Sequence, residues 1–211
     1  MYPEPIERLI QLFSKLPGVG PRQATRMAFY VLSESNGYAA SISRSIDEVR
    51  KNISFCDQCF RSVQKSAGKN VCAICQDPKR DQRIICVVEK EIDIANIEKT
   101  AAYHGTYHVL GGTISLLDKE SPERLRLKDL YQRIETAANS GNALEVIIAM
   151  SPTSEGDSTA LYLKRTLEPL IQKFPALKLT MLGRGLSLGA EVEYADQVTL
   201  ESALKYRTPA G

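Results

Sequence analysis

Apolar residues recur at helical spacing through the first 53 positions of the chain. Three such stripes predict three amphipathic helices, the first ending before Leu16-Pro17-Gly18 and the second beginning after Pro21. The residues of the stripes are Ile6, Leu9, Ile10 and Phe13, then Ala24, Met27, Ala28 and Val31, then Ile42, Ile46, Val49 and Ile53. All three helices precede the first cysteine.

From residue 84 onward, short β-branched runs alternate with stretches of helical periodicity. The runs are RIICVVE (83–89), YHVLGG (107–112), EVIIAM (145–150), LKLTML (177–182) and QVTL (197–200). Helices are predicted between them near 91–103, 124–140 and 157–173, and Pro169 is expected to end or kink the last one. Strands that alternate with helices predict crossover connections and a mainly parallel sheet.

Together these patterns predict a multi-domain α/β protein. A helical region is expected at 1–54, a small cysteine-rich module at 55–78, an α/β domain at 79–175 and a strand and helix extension at 176–211. No apolar run approaches the roughly 20 residues that cross a bilayer, and the acidic, periodic N-terminus is not typical of a secretory signal. We therefore expect a cytoplasmic globular protein without a membrane partner.

The charge distribution adds one indication about partners. Lys and Arg outnumber Asp and Glu by 13 to 8 in residues 1–83 but fall behind them by 14 to 17 in residues 84–211. A basic first part is compatible with a polyanionic partner such as DNA, although so small an imbalance also occurs on ordinary solvated surfaces.

Four cysteines have the spacing C-x2-C-x12-C-x2-C, the most specific motif in the chain. They are Cys56, Cys59, Cys72 and Cys75. Two turns that each carry two thiolates can surround one Zn²⁺ ion, and a closed four-thiolate set is typical of a structural site, one ion per chain. A disulfide pair and redox-active thiols are the alternatives to a zinc site.

His104 and His108 form a weaker candidate metal pair because no third ligand is near them in the sequence. The fifth cysteine, Cys86, is expected to be buried.

A glycine-rich turn, LPGVGPRQATRMA, joins the first two predicted helices. Gly18 and Gly20 permit a backbone that exposes N–H groups at the start of the second helix, where a phosphate can bind. Arg22 and Arg26 are one helical turn apart and are predicted to flank that position. This pattern favours contact with the DNA backbone irrespective of base sequence, and the alternative is an ordinary turn between packed helices.

The segment EVIIAMSPTSEGDSTALYL predicts a strand, a turn and a helix. Ligands of parallel α/β sheets bind at such a carboxyl end of a strand. In this loop, however, only Glu155 and Asp157 are ionisable, and Ser151 and Thr153 stand where metal ligands are expected.

The order of these motifs resembles one family over essentially the whole chain. LPGVGPRQATRMAF is similar to a helix-hairpin-helix motif, and the four-cysteine unit follows it. After these come ICVVEKEIDIANIE, YHVLGGTISLLD, SPTSEGDSTALYL and GRGLSLGAEVEYADQVTL. The set resembles the RecR family of bacterial recombination mediators, which implies a Toprim domain after the cysteine module.

The resemblance gives the unusual loop an interpretation. In catalytic Toprim domains a glutamate and a D-x-D motif hold magnesium, and Glu89 matches the glutamate, whereas Ser151 and Thr153 occupy the aspartate positions. The family usually has Asn-Pro-Thr here, so Ser151 is a local departure, but neither residue is anionic. The resemblance therefore implies that the protein is not an enzyme.

The resemblance also implies partners. These are DNA, RecO and RecF, together with a ring-like homo-oligomer that encloses DNA, and the implied role is to help load recombinase at single-stranded gaps. Four carboxylates form a candidate docking site for a partner protein: Glu89, Asp93, Glu155 and Asp157. The alternative is that they are solvated carboxylates favoured by helix dipoles.

Two functions of other classes remain as alternatives. A magnesium-dependent Toprim nuclease or topoisomerase would need a metal held by few acids and, for a topoisomerase, a tyrosine nucleophile chosen from Tyr103, Tyr107, Tyr162 and Tyr194. A nucleotide-binding protein would use GRGLSLG, which lacks the Lys-Ser/Thr of a P-loop, and EVEYAD as a Walker B strand.

Overall fold

A computed structural model describes residues 2–115, 118, 120–183, 185–186 and 189–207. The chain divides into two compact units, residues 1–53 and residues 54–211. Within the described residues, no helix is both long and apolar enough to span a membrane.

The first unit contains the three predicted helices, α1 (Glu4–Phe13), α2 (Pro21–Ser33) and α3 (Asn36–Asn52). The α2 stripe behaves as its periodicity predicts, because Ala24 and Ala28 are buried. Much of the apolar surface of α1 and α3 stays exposed, since this unit is too small to cover it.

The second unit begins with the cysteine-rich segment. Strands β1 (Ile53–Phe55) and β2 (Ser62–Gln64) form a hairpin, and the short helix α4 (Ala73–Gln76) follows it. The segment does not have a core of its own. Its four cysteines belong to one apolar cluster with residues of the main sheet, including Val88 and Val109.

The main sheet has four parallel strands in the order β4-β3-β5-β6. The strands are β3 (Asp81–Val88), β4 (Gly105–Val109), β5 (Leu144–Ala149) and β6 (Leu177–Met181). Val88 is in register with Val109 on one side and Ala149 on the other, so the carboxyl ends of three strands meet. This architecture confirms the predicted mainly parallel α/β fold.

Three helices make the crossover connections: α5 (Glu91–Glu98), α6 (Leu127–Ala138) and α7 (Ser154–Lys173). The larger apolar core lies between α6, α7 and the sheet, where Leu130, Ile134 and Leu163 are buried against Val146. Pro169 does not end α7, which continues to Lys173.

One feature at the C-terminal end differs from the sequence-based expectation. QVTL, predicted as a strand, forms the first turn of helix α8 (Gln197–Lys205), because the Asp196 carboxylate accepts a hydrogen bond from the Thr199 backbone N–H at 2.9 Å and caps the helix. Strand β6 lies in the segment after residue 175, where a strand was predicted, and it is hydrogen-bonded to β5 in the main sheet.

Candidate functional site

The four cysteines of the C-x2-C pairs converge as predicted. All four are buried, and their Sγ atoms lie within 4.8 Å of one another. Cys56 and Cys59 lie on the turn between β1 and β2, while Cys72 and Cys75 lie at the start of α4. Among the described residues, this is the one cluster of three or more potential metal ligands.

The distances in this cluster fit a tetrahedral metal site. Zinc–sulfur bonds of about 2.3 Å place the sulfurs of a tetrahedron about 3.8 Å apart. The Sγ atoms of Cys59 and Cys72 are 3.5 Å apart. The hydrogen bond between these two thiols raises the pKa of Cys59 and lowers that of Cys72.

The cysteine turn packs directly on the sheet. Phe60 adopts the left-handed conformation with φ of 62°, and its N–H donates to the carbonyl oxygen of Cys56 at 2.9 Å. The N–H of Val109 donates to the carbonyl oxygen of Cys59 at 2.8 Å. The cluster is therefore positioned by β4 as well as by its own hairpin.

The histidines do not form a second metal site. His108 is fully buried, where its Nε2 lies 3.1 Å from the carbonyl oxygen of Arg126, whereas His104 is exposed. Burial lowers the pKa of His108 to about 3, so its ring stays neutral.

The fifth cysteine, Cys86, is buried as predicted, and burial raises its pKa to about 12.

The glycine turn between α1 and α2 leaves a helix start uncapped by any side chain. Gly18 has φ of 78°, a conformation that glycine adopts without strain, and Gly20 is the N-cap residue of α2. Because Gly20 has no side chain, the first N–H groups of α2 receive no side-chain hydrogen bond at the cap. Arg22 and Arg26 follow on α2, and both are exposed.

The loop after β5 is organised by hydrogen bonds to its backbone. The Glu89 carboxylate accepts a hydrogen bond from the Ser151 N–H at 2.5 Å. The Thr153 hydroxyl caps α7 by accepting from the Gly156 N–H at 3.1 Å. Thr153 therefore acts as the N-cap of α7, at the position where catalytic Toprim domains carry an aspartate.

The remaining candidate acids lie at two helix starts. Asp93 accepts a hydrogen bond from the Lys90 N–H at 2.8 Å, which completes a cap of α5. Glu155 and Asp157 are exposed in the first turn of α7. Glu89 and Asp93 accept hydrogen bonds from backbone N–H groups, and Glu155 and Asp157 are solvent-exposed.

Family models match three parts of the chain. A RecR helix-hairpin-helix model matches residues 6–50, a Toprim domain model matches residues 83–174, and a RecR C-terminal model matches residues 185–208. The chain is also similar along its length to curated proteins named "Recombination protein RecR". The relative from Bifidobacterium longum (strain NCC 2705) is 42% identical over 209 residues, covering 99% of this chain and 98% of the relative. This chain belongs to the RecR family.

A second relative in the RecR family agrees with the first. The protein named "Recombination protein RecR" from Staphylococcus aureus (strain N315) is 39% identical over 207 residues, covering 98% of each chain. The family relationship therefore extends over the helical unit, the cysteine segment and the parallel sheet, and confirms the resemblance seen in the motifs.

The geometry bears on the two alternative functions. The hydroxyl of Tyr103 donates to the carbonyl oxygen of Thr106 at 2.6 Å, and that of Tyr107 donates to Glu98. Burial raises the pKa of both tyrosines, which makes them poor nucleophiles, while Tyr162 and Tyr194 are exposed. EVEYAD does not form the Walker B strand that the nucleotide-binding alternative needs, because Val192–Tyr194 is a 3-10 helix. Arg184, Ser187 and Leu188 of GRGLSLG lie outside the described residues.

Two further residues at these sites make contacts that the motifs did not predict. A Cβ on Gly156 would lie 2.0 Å from the Ser151 carbonyl oxygen, so only glycine fits there. In the sequence, this glycine is marked by the pair Glu155-Gly156, which matches the E-G that follows the D-x-D positions in Toprim domains. Arg133 contacts the cysteine turn from α6, and nothing in its local sequence points to that contact.

Proposed function

We propose that this RecR-family protein is a non-catalytic, DNA-binding mediator of recombinational repair that acts in the cytoplasm. It would work with RecO and RecF to help load recombinase at single-stranded gaps. The observation that carries the proposal is the uncapped start of α2 beside two exposed arginines, in a chain whose Toprim loop lacks the paired aspartates.

The proposed DNA contact is made by the turn from Gly18 to Gly20 with Arg22 and Arg26. The free N–H groups at the start of α2 and the two guanidinium groups are suited to phosphate oxygens. Contacts of this kind carry no base information, so binding is expected to be independent of sequence.

The proposed cofactor is one structural Zn²⁺ ion per chain, bound by the four cysteines. Four buried thiols whose Sγ atoms lie within 4.8 Å of one another would fill all four positions of a tetrahedral ion and leave none open for a substrate. The ion would stabilise the hairpin and α4. The twelve residues between the two cysteine pairs, 60–71, are mostly polar and have few apolar side chains to bury.

The proposed partner surface is the Toprim acidic site of Glu89, Asp93, Glu155 and Asp157. Glu155 and Asp157 are its accessible members and would accept a basic surface of RecO or RecF. A ring-like homo-oligomer around DNA is part of the same proposal and is supported by the family relationship alone.

The test is reconstitution of recombinase loading. Gapped DNA coated with single-strand binding protein is incubated with recombinase, RecO and RecF, with and without this protein. We expect recombinase filaments to form faster when the protein is present, and mass measurement should show a complex that contains RecO. Equal filament formation in both reactions would contradict the mediator function.

A further inference from the structure

Arg133 joins the cysteine turn to the sheet through three hydrogen bonds. Its Nη1 donates to the carbonyl oxygens of Gln58, at 3.0 Å, and Tyr107, at 2.5 Å. Its Nη2 donates to the Thr106 hydroxyl at 3.0 Å. Gln58 lies between two of the clustered cysteines, and the other two acceptors belong to β4. One side chain on α6 thus holds the turn against the strand on which it packs.

Among the residues that the structure describes, Arg133 forms no salt bridge. Burial lowers its pKa, whereas nearby thiolates, that of Cys75 first, raise it. The guanidinium of Arg133 therefore lies beside the cysteine cluster, whose thiols become negatively charged when they bind a metal ion.

A Zn²⁺ ion bound by four thiolates carries two net negative charges. Such a charge in a buried site is unfavourable unless a cation or hydrogen-bond donors lie close to it. Groups outside the ligand set that orient ligands change metal affinity by about 10–100-fold when they are removed.

We propose that Arg133 is a positioning residue of the metal centre, which balances the charge of the four thiolates and fixes the turn between Cys56 and Cys59 against β4. The inference rests on the proposed zinc site. It extends the metal centre beyond its four ligands to α6, so that zinc binding and the packing of the Toprim sheet depend on each other.

The experiment compares Arg133→Gln and Arg133→Lys with the parent chain, and uses Arg165→Gln as the control. Arg165 is an exposed arginine on α7 and lies outside both proposed sites. Zinc content is measured by elemental analysis, and zinc release is followed with a chromophoric chelator. The Co²⁺-substituted proteins are examined by their sulfur-to-cobalt absorption, which reports the thiolate environment.

We expect Arg133→Gln to release zinc about tenfold faster than the parent and to shift the cobalt absorption. Arg133→Lys keeps the positive charge but loses the planar guanidinium group with its paired N–H donors. Its rate of zinc release should therefore fall between those of the parent and Arg133→Gln. The control should match the parent. If Arg133→Gln is not folded by circular dichroism, the comparison of Arg133→Lys with the parent decides.

Zinc release from Arg133→Gln at the parent's rate would overturn the inference. Equal rates of zinc release from the Lys and Gln variants would also overturn it. If the Gln variant is unfolded, a release rate of Arg133→Lys equal to that of the parent would have the same consequence. Parent protein that contains zinc while its variants release it unchanged would contradict the role of Arg133 alone. Parent protein without zinc would contradict the zinc proposal and this inference with it.

Discussion

The carboxylate of Glu89 accepts a hydrogen bond from the backbone N–H of Ser151 at 2.5 Å, and thereby joins the ends of two neighbouring parallel strands. Glu89 is only 7% exposed. The glutamate that would hold a metal ion in a catalytic Toprim domain is engaged here with the backbone of the loop. Its position therefore favours a structural role at this edge of the sheet.

Gly156 is expected to be essential for this arrangement. A Cβ there would lie 2.0 Å from the carbonyl oxygen of Ser151 and 3.2 Å from Glu89 Oε1. Gly156→Ala should therefore lower the free energy of unfolding by about 1–3 kcal/mol, as overpacking does. Urea unfolding measures the change. Gly68→Ala is the control, because a Cβ on Gly68 meets no atom within 4 Å; equal losses in both variants would contradict the argument.

We expect no magnesium-dependent cleavage of DNA by this protein. Ser151 and Thr153 supply no carboxylate, and positioning and charge stabilisation by metal ions provide most of the rate in phosphoryl transfer. The measurement is incubation with supercoiled and single-stranded DNA and Mg²⁺ or Mn²⁺. Cleavage or relaxation that Glu89→Ala abolishes would instead establish an enzyme.

Fresh, reduced protein is expected to contain about one zinc ion per chain. Cys72→Ala should lose the ion and become poorly soluble, because three thiolates no longer hold the segment together. Cys86→Ala is the matched control, since Cys86 is buried but is not one of the four cysteines that could bind the metal. This variant should keep its zinc. Elemental analysis of the parent well below one zinc per chain would exclude the proposed site.

The double variant Arg22→Ala, Arg26→Ala should bind DNA more weakly. Each lost phosphate contact is expected to reduce the log–log salt slope by about 0.9 on duplex DNA. Fluorescence anisotropy at several salt concentrations measures both affinity and slope, with Arg165→Ala as the control for lost charge. Unchanged affinity and slope in the double variant would place the DNA site elsewhere.

Glu155→Gln and Asp157→Asn are expected to weaken RecO binding while binding to bare DNA stays the same. Both residues are exposed in the first turn of α7, and the substitutions remove charge while keeping side-chain size. Glu168→Gln, an exposed acid farther along the same helix, is the control. RecO binding is measured by pull-down and DNA binding by fluorescence anisotropy. Undiminished capture of RecO by both variants would exclude this surface as the RecO binding site.

Hydrophobic spacing alone predicted the three N-terminal helices and the parallel α/β sheet. The cysteine spacing likewise predicted the cluster, and the loop sequence showed that acids are absent at positions 151 and 153. These predictions succeed because periodicity and short-range spacing are local properties of the chain. The prediction of a strand for QVTL was wrong because a run of four residues, three of them β-branched or apolar, does not distinguish a strand from a helix. The cap provided by Asp196 stabilises the helix.

The contacts that define the sites join residues far apart in the chain. Ser151 and Glu89 are 62 positions apart, and Arg133 and Gln58 are 75 positions apart. Whether Glu89 faces a metal ion or a backbone N–H depends on how closely the start of α7 approaches Ser151 and Glu89, and Gly156 allows that approach. Whether Arg133 meets a carboxylate or the cysteine turn depends on how the hairpin packs on β4. Only packing in three dimensions sets such distances, because no local pattern encodes which distant groups become neighbours.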